Sequence, residues 1–230
     1  KGATLVEMGR YAEALACYDE SIKKAPNYAT PLANKAEALL SLGRNIEALN
    51  FSNKSLEIDP NSSFAWAING KALAEKGKYF DALSSFNKSL AIDSSNADTW
   101  TAKGDAFQKL GKNEDALAAY KNATEIDPDT LNAWSGMGEA LSSLGRNEDA
   151  IAAFDKVIAI NSSNILAWKG KADAQSNLHS YENALQSYDR VIKLNPSEIT
   201  AWKGKAEAQN NMGQYESALQ SYEQALYLDP

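Results

Sequence analysis

The sequence is poor in the residues that most often carry chemistry. Its 230 residues hold one cysteine, Cys17, and one histidine, His179. A single thiol excludes an intrachain disulfide framework and a thiolate zinc site, and a single imidazole excludes His-paired dyads and multi-histidine metal centres. Positive charge is in deficit: 23 Lys and Arg against 30 Asp and Glu give a net charge of −7, ill suited to docking on a phosphate backbone. No apolar run approaches the ~18 residues of a membrane span, and six prolines are too few for proline-rich linkers. The remainder, 44% hydrophobic and 23% charged, excludes disorder and collagen-like fibre and fits a soluble, acidic, helical chain.

What is present is periodic. Tryptophan occurs five times, at Trp66, Trp100, Trp134, Trp168 and Trp202, with 34 residues between successive members. Alanine follows sixteen residues later at Ala82, Ala116, Ala150, Ala184 and Ala218, a column that extends back to Ala48 and Ala14. Four residues further on stands an aromatic, Tyr18, Phe86, Tyr120, Phe154, Tyr188 or Tyr222, with Ser52 as the exception. Glycine forms another column at Gly9, Gly43, Gly77, Gly111, Gly145 and Gly213, where His179 takes one place. Proline closes most units at Pro26, Pro60, Pro128, Pro196 and Pro230, with Ser94 and Ser162 substituting. A fixed period of this length is the mark of a repeat architecture.

Within a unit the spacing is helical. In residues 63–96, Trp66, Gly70, Leu73 and Gly77 share one face, and Ala82, Leu83, Phe86, Ser89 and Leu90 share another after the break. Gly77 suits the left-handed residue that ends a first helix. Asn113-Glu114-Asp115 and Asn147-Glu148-Asp149 read as side-chain caps for second helices. Asp59-Pro60-Asn61-Ser62 reads as a stop for one helix and a cap for the next. Each unit is thus a helical hairpin. The alanine column and a second one at Ala38, Ala72, Ala106, Ala140, Ala174 and Ala208 leave room for close helix approach, and the tryptophans and Tyr/Phe residues are expected to fill the spaces between. Truncating a buried tryptophan would then cost ~3–5 kcal/mol, and enlarging a column alanine ~1–3 kcal/mol.

The W-x3-G-x3-L, G-x-Y, A-x3-F and P arrangement resembles the tetratricopeptide repeat, and the whole chain falls in its register. The resemblance implies an all-α fold, a right-handed superhelical α-solenoid of stacked antiparallel helix pairs. It divides a single array over 1–230 into a partial repeat at 1–28, complete repeats at 29–62, 63–96, 97–130, 131–164 and 165–198, and a nearly complete repeat at 199–230, about seven in all. It also implies a non-catalytic scaffold that binds a protein or peptide segment in a concave groove lined by first helices, with no cofactor, no metal, no nucleic acid and no membrane span. The alternative is the recognition arm of an enzyme whose catalytic domain lies outside these residues.

By the same resemblance, positions two, five, six, nine, twelve and thirteen of each repeat face the groove. The ninth positions are Glu37, Lys71, Asp105, Glu139, Asp173 and Glu207, and Asp98 adds a carboxylate from position two. Five carboxylates of six would concentrate negative potential and attract a basic segment; the competing reading is a merely solvated face with Lys169/Asp173 and Lys203/Glu207 as i,i+4 pairs. Family members that hold a peptide's terminal carboxylate carry lysine and asparagine at positions five and nine. Here Lys169 and Lys203 supply the first, but Asp173 and Glu207 replace the second, which argues against that ligand. The asparagine row of a glycosyltransferase in the family is also missing. Phe64 and Ile68, with Leu40 on the preceding repeat, read either as exposed anchors for a partner side chain or as mutual packing. Gly136, Gly170 and Gly204 read as seats for close helix packing or for a ligand backbone.

Other features are weaker. Cys17 reads as an inert thiol, and His179 as a turn residue tolerating positive φ. Gly104 with Gly111-Lys112 lacks the spacing and the following Ser or Thr of a phosphate loop. Asp93–Asp98 lacks the glycine and distal glutamate of a calcium loop. Sequons begin at Asn53, Asn61, Asn87, Asn122 and Asn161 and matter only in a secreted chain. Gln175 and Gln209, in normally apolar places, predict looser packing. Both ends break off within the repeat register, as expected for a piece of a longer chain, so cytoplasmic residence is only a default. The last helix is expected to present Leu219, Tyr222 and Leu226, an end on which another copy could stack.

Overall fold

A computed structural model describes residues 1–229; Pro230, the last member of the proline column, lies outside the described residues. Among the described residues there are fourteen α-helices and no strand. They form two compact units, one over Lys1–Lys112 and one from Asn113 onward. The first holds α1 (Gly2–Glu7), α2 (Tyr11–Lys24), α3 (Ala29–Ser41), α4 (Asn45–Ile58), α5 (Ser63–Glu75), α6 (Tyr79–Ile92) and α7 (Ala97–Lys109). The second holds α8 (Asn113–Ile126), α9 (Leu131–Ser143), α10 (Asn147–Ile160), α11 (Ile165–Asn177), α12 (Tyr181–Leu194), α13 (Ile199–Asn211) and α14 (Tyr215–Leu228). In each unit consecutive helices pack together, and the first helices of successive repeats also touch: α3 with α5 and α5 with α7, then α9 with α11 and α11 with α13.

The turns follow from backbone chemistry. Gly77 ends α5 at φ +73°, and the N–H of Lys78 returns to the carbonyl of Leu73 at 3.0 Å, a wrap that needs a left-handed residue. His179 does the same work at φ 57°, with Ser180 N–H donating to Gln175 O at 2.9 Å. Three first helices are capped by side chains: Ser62, Asn96 and Asn164 accept from the N–H groups of Ala65, Thr99 and Ala167, whereas Thr130 at the start of α9 makes no such bond. The second helices differ from expectation. The N-cap of α10 is Arg146, not Asn147, and its side chain makes no capping bond. Instead the guanidiniums of Arg10, Arg44 and Arg146 each grip an acid three residues on, Glu13, Glu47 or Asp149. The acids at these helix starts are held by the arginine and not by the backbone.

Both alanine columns are buried at 0–3% exposure, from Ala14 through Ala218 and from Ala38 through Ala208. The aromatic column is the key of the interlock. A Cβ added at Gly138 would stand 2.6 Å from Phe154 Cε1, and one at Gly170 of the next repeat would stand 2.7 Å from Phe154 Cε2. One ring thus lies between the eighth position of its own repeat and the sixth position of the next. Gly136 against Tyr120 and Gly204 against Tyr188 repeat the arrangement. These glycines serve helix packing, and the ligand-backbone reading falls away.

Where the ring is missing, the partner grows. Ser52 is fully buried, and the register sets Ile68, only 3% exposed, at the position that faces it. Asn69 follows on the same helix and donates to Ser52 Oγ at 3.1 Å. Gln175 and Gln209 are likewise buried and satisfied: Ser187 and Ser221 donate to their Oε1 atoms at 2.7 Å, so the expected looseness is replaced by paired polar contacts.

The tryptophans are not core. All five are half-buried, and each indole N–H donates to the carbonyl six residues earlier, that of Pro60, Ser94, Pro128, Ser162 or Pro196, at 2.8–3.0 Å. The ring pins the loop that enters its helix. Only the carbonyl of the proline column is used, which is why serine substitutes freely there.

Candidate functional site

The first-helix positions singled out above divide between the two units. In the first, Leu40 of α3, Lys71 of α5 and Asp105 of α7 come together around a cavity of about 240 Å³ closed by Ala74, Glu75, Ala102 and Phe86. Glu37 is half-buried one turn before Leu40. Burial pushes its carboxyl above the usual range, and the charge of Lys71 opposes the shift. Phe64, in the first turn of α5, is 38% exposed, whereas Ile68 one turn on is 3% exposed. Ile68 is therefore corrected from surface anchor to core: its side chain is spent inside the fold and cannot receive a partner. Asp98 is exposed in the first turn of α7.

In the second unit Glu139 of α9, Asp173 of α11 and Glu207 of α13 are exposed, on first helices that touch in sequence. Asp173 also serves the fold. The O–H of buried Tyr188 donates to its Oδ1 at 2.7 Å, and desolvation lifts the carboxyl above the ordinary range despite that bond and the nearby Lys169. Tyr188 is pushed well above the usual tyrosine value, first by burial and then by the charge of Asp173. Lys169 is half-buried and Lys203 exposed, and among the described residues neither forms a salt bridge with Asp173 or Glu207. Sequence reasoning missed Leu166, which occupies the same repeat position as Phe64 and is 71% exposed. Its signal was available in the register: position two is among those the family resemblance turns to the groove, and the structure exposes it in every complete repeat.

Profiles described as tetratricopeptide repeat match residues 5–70, 101–165, 167–198 and 199–230, and one described as TPR repeat matches 70–111. The chain belongs to the tetratricopeptide repeat family. No curated protein matches it. Among solved structures, YrrB, described as a TPR protein with an unusual peptide-binding site, is 25% identical with a TM-score of 0.69, over 80% of this chain and 95% of YrrB. The C-terminal part of a TPR repeat-containing protein from Cytophaga hutchinsonii is 18% identical with a TM-score of 0.73, over 100% of this chain and 94% of that one. PilF from Pseudomonas aeruginosa is 20% identical with a TM-score of 0.74, over 88% and 92%. The latter two likenesses speak to the fold alone.

Within this TPR chain no group of His, Cys, Asp and Glu among the described residues is placed to hold a metal ion, and no described helix is long and apolar enough to cross a membrane. The last helix, α14, presents Leu219, Tyr222 and Leu226 at 60%, 41% and 65% exposure.

Proposed function

We propose that the chain is a non-catalytic interaction scaffold whose first-helix faces bind a peptide or protein segment carrying basic side chains. The observation that carries this reading is the exposure of Glu139, Asp173 and Glu207 on three first helices that touch in sequence. Carboxylates repeated along one face reinforce each other's potential, and that potential draws in and orients a cationic chain. Half-buried Lys169 reduces the field at Asp173 without closing a bridge. Leu166, exposed in the first turn of α11, adds apolar contact beside Asp173's helix face. The peptide-binding site described for YrrB supports a peptide as ligand.

The test is fluorescence anisotropy with a labelled peptide of alternating lysine and glycine, titrated against the wild type and a Glu139→Lys/Glu207→Lys variant. Binding should weaken at least about fivefold in the variant at low salt, and wild-type affinity should fall steeply as salt is added. Equal affinity of the two proteins, with the variant folded by circular dichroism, refutes the acidic surface.

A further inference from the structure

Six seams between repeats of one chain serve as each other's controls, and at one of them neither member of the pair is of the kind found elsewhere. The seventh position of a repeat faces the twenty-fifth position of the repeat before it. Lys35 meets Asp19 there; Lys171 meets Asp155 at 2.6 Å; Lys205 meets Asp189 at 2.7 Å. Asn69 plays the same part with Asn53 at 2.7 Å. Lys103, opposite Asn87, lays its ammonium 4.7 Å from the Trp100 ring centre. In the remaining repeat both partners change at once: the seventh position is Met137 and the residue it faces is Lys121. A methionine and a lysine cannot form the link.

The consequence is an opening. A cavity of about 690 Å³ lies between α8 and α10, floored by α9, and it belongs wholly to the second unit. Trp134, Met137, Leu141 and Ala153 line it, and Lys121 and Lys156 stand on its rim. Trp134 is the one tryptophan of the five without an ammonium over its ring among the described residues, because the lysine that covers Trp100, Trp168 or Trp202 is here Met137, while Lys88 covers Trp66. The rim carries net positive charge in an acidic protein. Glu125 is taken by Lys121 at 3.8 Å and Asp149 by Arg146 at 2.7 Å, and among the described residues the ammonium of Lys156 forms no salt bridge.

The geometry points to this cleft as a second docking site, one that takes a large apolar side chain flanked by carboxylates from an acidic peptide segment of a partner. An uncovered indole and a thioether accept the apolar group, the volume lies in the range of ligand sites, and Lys156 supplies the complementary charge. The cleft opens between two second helices, on the side of α9 that holds Trp134 and Met137, and asks for negative charge. It is therefore independent of the basic segment assigned to the first-helix surface, and either can fail without the other.

The probe is a fluorescein-labelled Gly-Glu-Glu-Phe-Glu-Glu-Gly peptide, with companions bearing Ala for Phe or Lys for every Glu. Anisotropy gives affinity, and ¹³C-methyl NMR of the three methionines, Met8, Met137 and Met212, locates the contact. The Glu-Phe peptide should shift Met137 saturably and leave Met8 and Met212 in place. The Ala and Lys companions should bind at least about tenfold more weakly. Lys121→Asp with Met137→Lys, which installs the pair found at Asp155 and Lys171, should keep the wild-type melting temperature and weaken binding at least about tenfold. Lys156→Glu, at an exposed place, should do likewise. Unchanged affinity in either folded variant, equal binding of the Lys companion, or a Met137 methyl unmoved at saturating peptide overturns the proposal.

Discussion

Substituting alanine for Gly204 should destabilise the chain, although alanine is the better helix former. The gain from propensity is at most about 1 kcal/mol. Against it, the new Cβ would stand 2.6 Å from both Cε1 and Oη of Tyr188. That ring is 3% exposed, packed with Ala172, Ala184, Val191 and Ala201, and tethered by its O–H to Asp173, so it has nowhere to retreat. Overpacking of this kind costs ~1–3 kcal/mol, and displacement of the ring also loosens a hydrogen bond to a charged acceptor, worth ~1.5–3 kcal/mol. With the bond lost outright, the balance is a net loss of about 1.5–5 kcal/mol. Urea denaturation measures it. In a Tyr188→Leu background the same Gly204→Ala change should become neutral or stabilising, because the obstructing ring is gone. A higher denaturation midpoint for Gly204→Ala in the otherwise wild-type chain refutes the interlock.

Three further outcomes follow from the same structure. Ile68→Ala should cost ~2–5 kcal/mol because the side chain is buried, whereas Phe64→Ala, at the surface one turn earlier, should cost less than ~1 kcal/mol; similar losses in urea melts would contradict the corrected place of Ile68. Trp100→Phe should cost ~1 kcal/mol, the worth of its hydrogen bond to Ser94, and a loss near the ~3–5 kcal/mol of a fully buried tryptophan would restore the core reading. At alkaline pH, buried Tyr188 keeps its proton while the unfolded chain releases it near pH ~10. Its folded pKa is raised, so stability falls as pH climbs past the unfolded value, and Tyr188→Phe should flatten that fall, leaving the part due to Tyr18, which burial also raises. A variant with an unchanged alkaline limb would contradict the assignment.

The fold was legible because its determinants are local and repeated. Alanine columns, left-handed glycines and the 34-residue spacing each state a geometric requirement that recurs several times, and the described helices begin and end where those columns break. What a column cannot show is who its partner is. Ile68 looked like an exposed neighbour of Phe64 because the two share a helix face, yet its fate depends on Ser52 in another repeat, whose vacated slot it faces. The tryptophans looked like core because they are large and periodic, but their indole N–H groups need carbonyls at the loop, which holds them at the edge. Gln175 and Gln209 looked like defects until Ser187 and Ser221 were seen to complete them. The carboxylates of the ninth position were readable as a row. Asp173 shows the remainder: one of them accepts from a buried tyrosine, so charge on a face and support of the core are carried by the same side chain.

The most direct measurement is ¹⁵N chemical-shift mapping of the whole chain during titration with the lysine-glycine peptide. Perturbed amides should gather on α9, α11 and α13 around Glu139, Asp173 and Glu207, and vanish on addition of salt. Shifts confined to the second helices, or none at saturating peptide, would contradict the assignment of the first-helix face as the binding surface.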